Sequence, residues 1–252
     1  MVTIKTDTEL GYMQEGGEIV KEVVKELLPT IKEGVTTLEI DSLAEKLMRQ
    51  RGATPSFQRV KNYRWTACLP INEQVVHTPP GPRKVKNGDV LTVDIGAYYK
   101  TFHTDYATSF VVGEESPRDQ NIAKFLRIGK ETLDKAIEKA KQCMYIGEIS
   151  QLIQQEVCGA GYYIMRDLTG HGVGHDLHED PFIPGILDRP IEKTYKIQKG
   201  MAIAIEIIYS MGTEEIVYEK GSDWSIATSD GSMSACFEHT IGFFSDKTIV
   251  LT

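Results

Sequence analysis

Five residues of metal-binding types stand in sequence contexts that favour one shared site. Four are carboxylates and one is an imidazole, and the set comprises Asp94, Asp105, His171, Glu206 and Glu238. Oxygen-rich ligation with a single imidazole suits hard or borderline divalent ions. Two such ions can share carboxylates and activate one water between them. The set therefore predicts a hydrolase that uses two metal ions.

Two ten-residue segments, 85–94 and 197–206, resemble each other and place two of these acids at matching positions. Each segment has a carboxylate six residues after a glycine, Asp94 in the first and Glu206 in the second. Side chains alternate between the two faces of a strand, so each acid lies opposite an apolar face. The apolar faces comprise Leu91, Val93 and Ile95 in the first strand and Met201, Ile203, Ile205 and Ile207 in the second.

Both acids stand in the middle of apolar strands, where an unpaired carboxylate is costly to bury. A salt bridge or a metal ion would offset that cost. The alternative is an edge strand with a solvated acid, and it is harder to apply to both segments because acids are depleted in strands. The pair therefore strengthens the prediction of a metal site.

The histidines cluster around the same segments. All except His77 fall near the candidate ligands: His103 is close to Asp105, His239 is beside Glu238, and three stand in the glycine-rich segment 170–181. Its glycines allow the backbone to bend close to a bound ion or substrate. If this segment were helical, its histidines could form a zinc site, but the glycines disfavour a helix. A flexible surface loop is the other alternative. The three histidines are His171, His175 and His178.

Composition favours one soluble domain. The 252 residues contain no linker-like or low-complexity stretch, and the formal charge of −8 disfavours a nucleic-acid surface. Neither a signal core nor an apolar run of membrane-spanning length occurs, so we expect a cytoplasmic protein. The cysteines are widely spaced, which indicates reduced thiols. They are Cys68, Cys143, Cys158 and Cys236.

The order of predicted elements repeats once along the chain. A capping box at 6–9 begins a long amphipathic helix, and a second helix ends near Gly52. Strands follow over about 66–112. Two more helical segments and a second group of strands complete the chain. We therefore expect residues 1–252 to form a single catalytic domain with two pseudo-symmetric halves, about 1–113 and 114–252, and an active site between them.

Six short motifs, in this order and spacing, resemble type I methionine aminopeptidases over nearly the whole chain. They are INEQVVH at 71–77, VDIG at 93–96, FHTD at 102–105, GHGVGHDLHEDP at 170–181, IE at 205–206 and FEHT at 237–240. The resemblance implies an α+β class and the duplicated pita-bread (creatinase/aminopeptidase) fold, with a curved antiparallel sheet and outer helices.

The resemblance also implies residue roles. Asp94 would chelate one ion, Asp105 and Glu238 would bridge both, and His171 and Glu206 would complete the second site. Glu206 would also carry a proton to the leaving amine. The two divalent ions could be cobalt, manganese, iron or zinc, because ligand type narrows the metal only by class.

Further residues match the family's substrate site. His77 and His178 would contact the substrate and stabilise the developing oxyanion. The methionine pocket would be formed by soft and apolar side chains, which suit a thioether. These are Tyr63, Cys68, Leu177 and Trp224.

Several positions depart from the family pattern without removing a ligand. Segment 55–65 lacks the glycines and proline that the family commonly has before the pocket cysteine. Leu177 stands where an aromatic residue is common. Thr78 and Ile207 replace the usual glycine and proline. We therefore expect a reshaped pocket around intact metal ligands.

Three functions are weighed. The leading one is a metallo-aminopeptidase that removes the N-terminal initiator methionine from nascent proteins, acting as a monomer. The alternatives are an Xaa-Pro aminopeptidase or dipeptidase of the same fold, and a non-catalytic pita-bread protein that binds peptides. The five retained ligands disfavour the last. Ribosome contact stays open.

Overall fold

The computed structural model describes residues 2–113, 119–140 and 145–252. This part of the chain contains four α-helices and fifteen strands. The helices are α1 (Asp7–Leu27), α2 (Thr37–Gln50), α3 (Gln120–Lys139) and α4 (Ile146–Gly159). The strands are β1 (Thr54–Pro55), β2 (Ala67–Cys68), β3 (Gln74–Val76), β4 (Val90–Ile95), β5 (Ala97–Tyr99), β6 (Phe102–Thr104), β7 (Tyr106–Val111), β8 (Tyr163–Ile164), β9 (Thr169–Gly172), β10 (Glu179–Pro184), β11 (Ala202–Ser210), β12 (Ile216–Tyr218), β13 (Ile226–Thr228), β14 (Ser234–Phe243) and β15 (Thr248–Val250).

Helix α1 begins at the capping box that the sequence predicts. The Thr6 hydroxyl accepts the Glu9 N–H at 3.3 Å, and the Glu9 carboxylate accepts the Thr6 N–H at 2.7 Å. Such a cap stabilises a helix start by about 1 kcal/mol. Helix α2 begins at a second capping box, Thr36 with Glu39. Both helices therefore have locally encoded starts.

Nine strands form one antiparallel sheet in the order β10-β9-β11-β14-β7-β4-β2, with β15 on β14 and β8 on β11. The predicted α+β class and antiparallel sheet are thus present. Strands β7 and β14 join the first and second groups of strands, and only two residue pairs connect them. The sequence gives no sign of this short junction.

The apolar faces of β4 and β11 pack against the helices. Val93 belongs to a core cluster with residues of α1 and α2. Ile205 belongs to another cluster with residues of α3 and α4. The predicted alternation is therefore correct, because Asp94 and Glu206 face away from the helices. The acids lie on interior strands, which excludes the edge-strand alternative.

The near-repeat of sequence is also a repeat of backbone structure. Gly88 and Gly200 both have left-handed φ angles, 89° and 84°, which glycine adopts without steric cost. The Gly88 N–H donates to Val112 at 3.0 Å, and the Gly200 N–H donates to Phe243 at 2.7 Å. These hydrogen bonds fix the turn before β4 to the end of β7, and the turn before β11 to the end of β14. The single-domain division near residue 113 stays a prediction.

The remaining elements surround this sheet. A three-stranded sheet, β12-β13-β3, leads into His77, and another, β1-β5-β6, leads towards Asp105. No helix of the described residues is long and apolar enough to cross a membrane. Cys68, Cys158 and Cys236 are free thiols. Cys143 lies outside the described residues.

Candidate active site

A row of paired positions crosses the large sheet and carries three of the predicted ligands. From β2 to β11 the register aligns Cys68 with Asp94, Asp94 with Ala107, Ala107 with Glu238, and Glu238 with Glu206. Residues paired across antiparallel strands point to the same face. The three acids therefore share the face that the helices do not cover.

Asp105 joins this group from the corner before β7. It precedes Ala107 by two residues, so strand alternation places both on one side. The Thr240 hydroxyl fixes the Asp105 backbone, because its oxygen accepts the Asp105 N–H and its O–H donates to the Asp105 carbonyl, each at 2.8 Å. Thr240 follows Glu238 by two residues. The hydroxyl thus couples the positions of the two acids.

His171 lies on β9, where it pairs with Ala204 of β11. Its Nδ1 contacts the Gly172 carbonyl at 2.8 Å. A carbonyl accepts only from N–H, so Nδ1 carries the proton and orients the ring. Nε2 then lies 3.1 Å from the Glu206 Oε1. The ring presents Nε2 to the carboxylates, as a metal ligand requires.

The glycines beside His171 are required by the strands around them. A Cβ at Gly170 would lie 2.5 Å from the Ala204 carbonyl oxygen, and one at Gly172 would overlap the Asp180 carbonyl. Glycine is required here because β9 packs tightly between β10 and β11. The sequence gives no sign of this packing.

The ligand atoms of Asp105, His171 and Glu238 lie within 4.8 Å of one another. Burial raises the pKa of Glu238 and of Asp94 well above the ordinary range, and neighbouring carboxylates raise both further. Burial raises the pKa of Asp105 to about 7. Concentrated acids of this kind are unfavourable without cations.

Two features show that the residues fit divalent cations. Glu238 Oε1 is buried and has no hydrogen-bond partner among the described residues, although buried polar atoms are normally paired. The His171 pKa is lowered by burial, but its hydrogen bond to Glu206 and the charges of Glu206 and Asp105 outweigh that effect and leave it raised. The acids therefore outnumber the cationic groups that face them.

Two further histidines line the same cavity. His77 follows β3 with a φ of 56°, a left-handed conformation that costs about 1 to 3 kcal/mol for a residue other than glycine. The His178 ring lies 4.4 Å from the His171 ring, at 72°. Burial lowers the pKa of His77, and burial with nearby histidine charges lowers the pKa of His178 to about 3. Both rings are therefore neutral N–H donors near neutral pH.

The predicted methionine-pocket residues form one apolar cluster with Phe57. The Tyr63 and Trp224 rings are 5.1 Å apart and meet edge to face. The Tyr63 hydroxyl lies 2.9 Å from the Ala67 carbonyl and 3.2 Å from the Cys68 sulfur. The pocket wall is therefore held by both packing and hydrogen bonds.

The altered segment 55–65 contributes to this wall. Phe57 is buried against the pocket, and Asn62 has a φ of 68°. Asparagine tolerates the left-handed region better than most residues, so Asn62 makes a bend in a segment that lacks the expected glycines. The segment departs from the family pattern in sequence and still closes the pocket.

All eleven predicted site residues line one cavity of about 380 Å³. They are Tyr63, Cys68, His77, Asp94, Asp105, His171, Leu177, His178, Glu206, Trp224 and Glu238. Phe57 and Cys236 line it too, and no motif in the sequence marks either of them. Thr240 was also missed, because a threonine has no distinguishing pattern.

The other histidines serve packing. The His103 Nδ1 is hydrogen-bonded to the Ser56 hydroxyl, and the His175 ring stacks on Phe102 at 4.4 Å. His239 packs against Tyr106 at 5.2 Å. The helix that a three-histidine zinc site requires is not formed, because residues 174–178 adopt bends. That alternative is wrong.

Comparison with known proteins agrees with this geometry. Residues 11–242 match the model of metallopeptidase family M24. The chain therefore belongs to metallopeptidase family M24, and the predicted pita-bread fold is confirmed.

Individual relatives narrow this assignment. Methionine aminopeptidase 1 of Bacillus subtilis is 38% identical over 252 residues, which span 100% of this chain and 99% of that protein. The methionine aminopeptidase structure from Thermotoga maritima is 34% identical, with a TM-score of 0.94 over 100% of this chain and 99% of that one. Within the family, the chain is a methionine aminopeptidase, as the sequence predicts.

A prolidase structure from Pyrococcus furiosus is more distant. It is 24% identical with a TM-score of 0.78, and the match covers 99% of this chain but 65% of that one. At this identity the similarity shows the fold alone. The comparisons thus favour the methionine aminopeptidase over the Xaa-Pro peptidase and the non-catalytic alternative.

Proposed function

We propose that the chain releases initiator methionine from nascent proteins at a site that holds two divalent ions. The observation that carries this proposal is the close approach of Asp105, His171 and Glu238, whose ligand atoms lie within 4.8 Å of one another. Asp94 and Glu206 lie on either side of Glu238, in the same row of paired positions across the sheet. This arrangement supplies carboxylates that can bridge and carboxylates that can hold one ion each.

We assign the ligands accordingly. Asp94 would hold one ion, Asp105 and Glu238 would be shared by both, and His171 and Glu206 would hold the other. When bound, divalent ions supply Lewis acidity and lower the pKa of water towards neutrality. The raised pKa values of Asp94 and Glu238 and the unpaired Glu238 Oε1 support this assignment. Cobalt, manganese, iron and zinc all remain compatible with the donors.

The chain's own residues carry the proton transfers and orientation. Glu206 has one oxygen against His171 Nε2, and its carboxylate accepts the proton of the attacking water and passes it to the leaving amine. His77 and His178 donate N–H groups to the substrate carbonyl, where negative charge develops. Fixed donors of this kind contribute about 3 to 4 kcal/mol each in related reactions.

The methionine side chain occupies the pocket of Tyr63, Cys68, Leu177 and Trp224. A thioether is polarizable and packs well against aromatic edges, which the Tyr63 and Trp224 rings provide. The Leu177 side chain is smaller than an aromatic side chain, so it leaves a wider pocket than the family pattern implies. We therefore propose that methionine is accepted with tolerance for similar unbranched side chains.

The proposal extends to a monomer that acts in the cytoplasm, where nascent chains are available. Sedimentation of the purified chain tests the monomer, and two or more chains per particle would contradict it.

Release of the first residue from two peptides tests the function. Metal-stripped protein is refilled separately with manganese, cobalt, iron and zinc, and each form is offered Met-Gly-Met-Met and Ala-Pro-Gly. We expect metal-dependent release of methionine from the first peptide and none from the second. Cleavage only before proline, or no cleavage with any metal, would contradict the proposal.

A further inference from the structure

An arm before α1 reaches the loop that carries two of the site residues. The loop comprises residues 173–178, between β9 and β10, and includes Leu177 and His178. It adopts bends without helix or strand. Its conformation therefore depends on contacts with other parts of the chain.

A buried ion pair joins Lys5 of the arm to Glu179, the first residue of β10 and the residue after His178. Lys5 Nζ lies 2.5 Å from Glu179 Oε2, and the two side chains are 2% and 6% exposed. The other oxygen, Glu179 Oε1, accepts the Asp176 N–H at 3.2 Å. One carboxylate thus binds the arm and the loop backbone together.

The surrounding backbone is arranged around this pair. A Cβ at Gly174 would overlap Lys5 Cε and would lie 2.9 Å from Glu179 Oε1, so a larger residue there would displace the ion pair. The Lys5 N–H donates to the Gly200 carbonyl at 2.7 Å, and the His103 N–H donates to the Gly174 carbonyl at 2.7 Å. The arm is therefore hydrogen-bonded to the turn before β11, and the loop to strand β6 of the small sheet.

Ordinary stability does not require such a pair. Replacing a buried ion pair with well-packed neutral residues is often neutral or stabilising, whereas removal of one partner is strongly destabilising. A buried charge pair is better explained where one particular backbone geometry is needed. Here the residue next to the pair is His178, whose ring packs against the ring of His171.

We propose that Lys5 is a positioning residue for the reaction: through Glu179 it holds the 173–178 loop in the conformation that directs His178 at the substrate carbonyl. This inference rests on the proposed function for the role of His178. Lys5 itself touches neither the substrate nor the metal ligands.

The test uses the neutral pair Lys5→Met/Glu179→Gln in the full-length chain. Neither residue leaves a buried charge unpaired, and the glutamine oxygen can still accept the Asp176 N–H. The matched control is Lys100→Met/Glu15→Gln, the same change in an exposed pair at 2.8 Å. A second control, Val157→Ala, reduces core packing in α4 at a fully buried position.

The kinetic measurement compares these variants with and without His178→Ala. The neutral pair should lower kcat by about 10-fold to 100-fold, because small displacements of catalytic groups have effects of this size. In the His178→Ala background it should lower kcat little further. An unchanged kcat, or an equal loss in both backgrounds, would overturn the proposal.

Hydrogen exchange supplies a readout that does not depend on activity. Amides of residues 174–178 should exchange at least several-fold faster in the neutral pair, while amides of α4 should be unchanged. Wild-type exchange in the loop would overturn the proposal even if kcat fell. If the wild-type chain released no methionine, the proposed function would fail, and exchange alone would still decide whether Lys5 fixes the loop.

Discussion

The two antiparallel strand pairs at the centre of the sheet, β4 with β7 and β11 with β14, are built alike but carry their acids differently. In the second strand pair, Glu206 and Glu238 are directly paired. In the first, Asp94 is paired with Ala107, and the second acid, Asp105, lies two residues earlier. The duplication supplies a common frame, but the ligands upon it are asymmetric.

In the proposed two-ion site, this difference would give the two ions different sets of protein ligands. A symmetric arrangement would place four acids in paired positions across neighbouring strands, where like charges are destabilising. Moving one acid to the corner at Asp105 separates it along the strand direction. In the second strand pair, the position equivalent to Asp105 is occupied by Cys236, which also lines the cavity.

Replacing the corner acid should have the largest effect. Asp105→Asn keeps the shape of the side chain but removes one bridging charge, so bound metal should fall and turnover should drop by at least about 10³-fold, or about 4 kcal/mol. Metal content and methionine release measure this. The control is Asp246→Asn at an exposed position, and wild-type turnover in Asp105→Asn would refute the bridging role.

The two imidazoles assigned to the substrate carbonyl are those of His77 and His178, and the removal of one should have the next largest effect. His178→Ala removes a donor to the substrate carbonyl, so kcat should fall by about 10²-fold while metal content stays the same. Steady-state kinetics with metal analysis measure both. Loss of metal in this variant would show that His178 is a ligand instead.

Removal of the Thr240 hydroxyl, which joins the two strand pairs, should have a moderate effect. Thr240→Val removes both hydrogen bonds to Asp105, and it should lower kcat about 10-fold and the free energy of unfolding by about 1 to 3 kcal/mol. Thr240→Ser keeps the hydroxyl and serves as the control. Equal behaviour of the two variants would mean that the hydroxyl does not position Asp105.

The smallest expected effect concerns the outer strand of the first half. Asp41 of α2 accepts the N–H groups of Thr66 and Ala67 at 2.8 and 2.9 Å and so holds β2. Burial raises the pKa of Asp41 to about 6, against opposing backbone hydrogen bonds. The folded state therefore binds this proton more tightly than the unfolded state. The proton's contribution to the stability of the fold is lost as pH rises from about 4 through 6.

Asp41→Asn should remove this pH dependence. Relative to the wild type, the variant should gain about 2 kcal/mol in free energy of unfolding between pH 4 and pH 7. Urea unfolding at several pH values measures the difference. A difference that stayed constant with pH would show that Asp41 does not titrate in this range.

The sequence predicts where Asp94 and Glu206 lie on the sheet, because each has a local signature. Asp94 and Glu206 interrupt apolar strands, and the glycines before them mark equivalent turns. Alternation along a strand then determines which face each acid occupies. These properties depend on a few neighbouring residues and are visible without the fold.

The supporting contacts are not visible in this way. Thr240 lies 135 residues from Asp105 in the chain, and Lys5 lies 174 residues from Glu179. Threonine and lysine are ordinary at both positions, and their roles follow from strand register. The glycines around His171 were noticed, but their reason is tight strand packing, which depends on the strands beside them.

The central claim is that this asymmetric set of acids holds two ions in different surroundings. Calorimetric titration of the metal-stripped wild-type chain with manganese tests it most directly. We predict two ions per chain with distinguishable affinities, because one site has His171 and the other has only carboxylates. Binding of a single ion, or of two ions with equal affinity, would contradict the account.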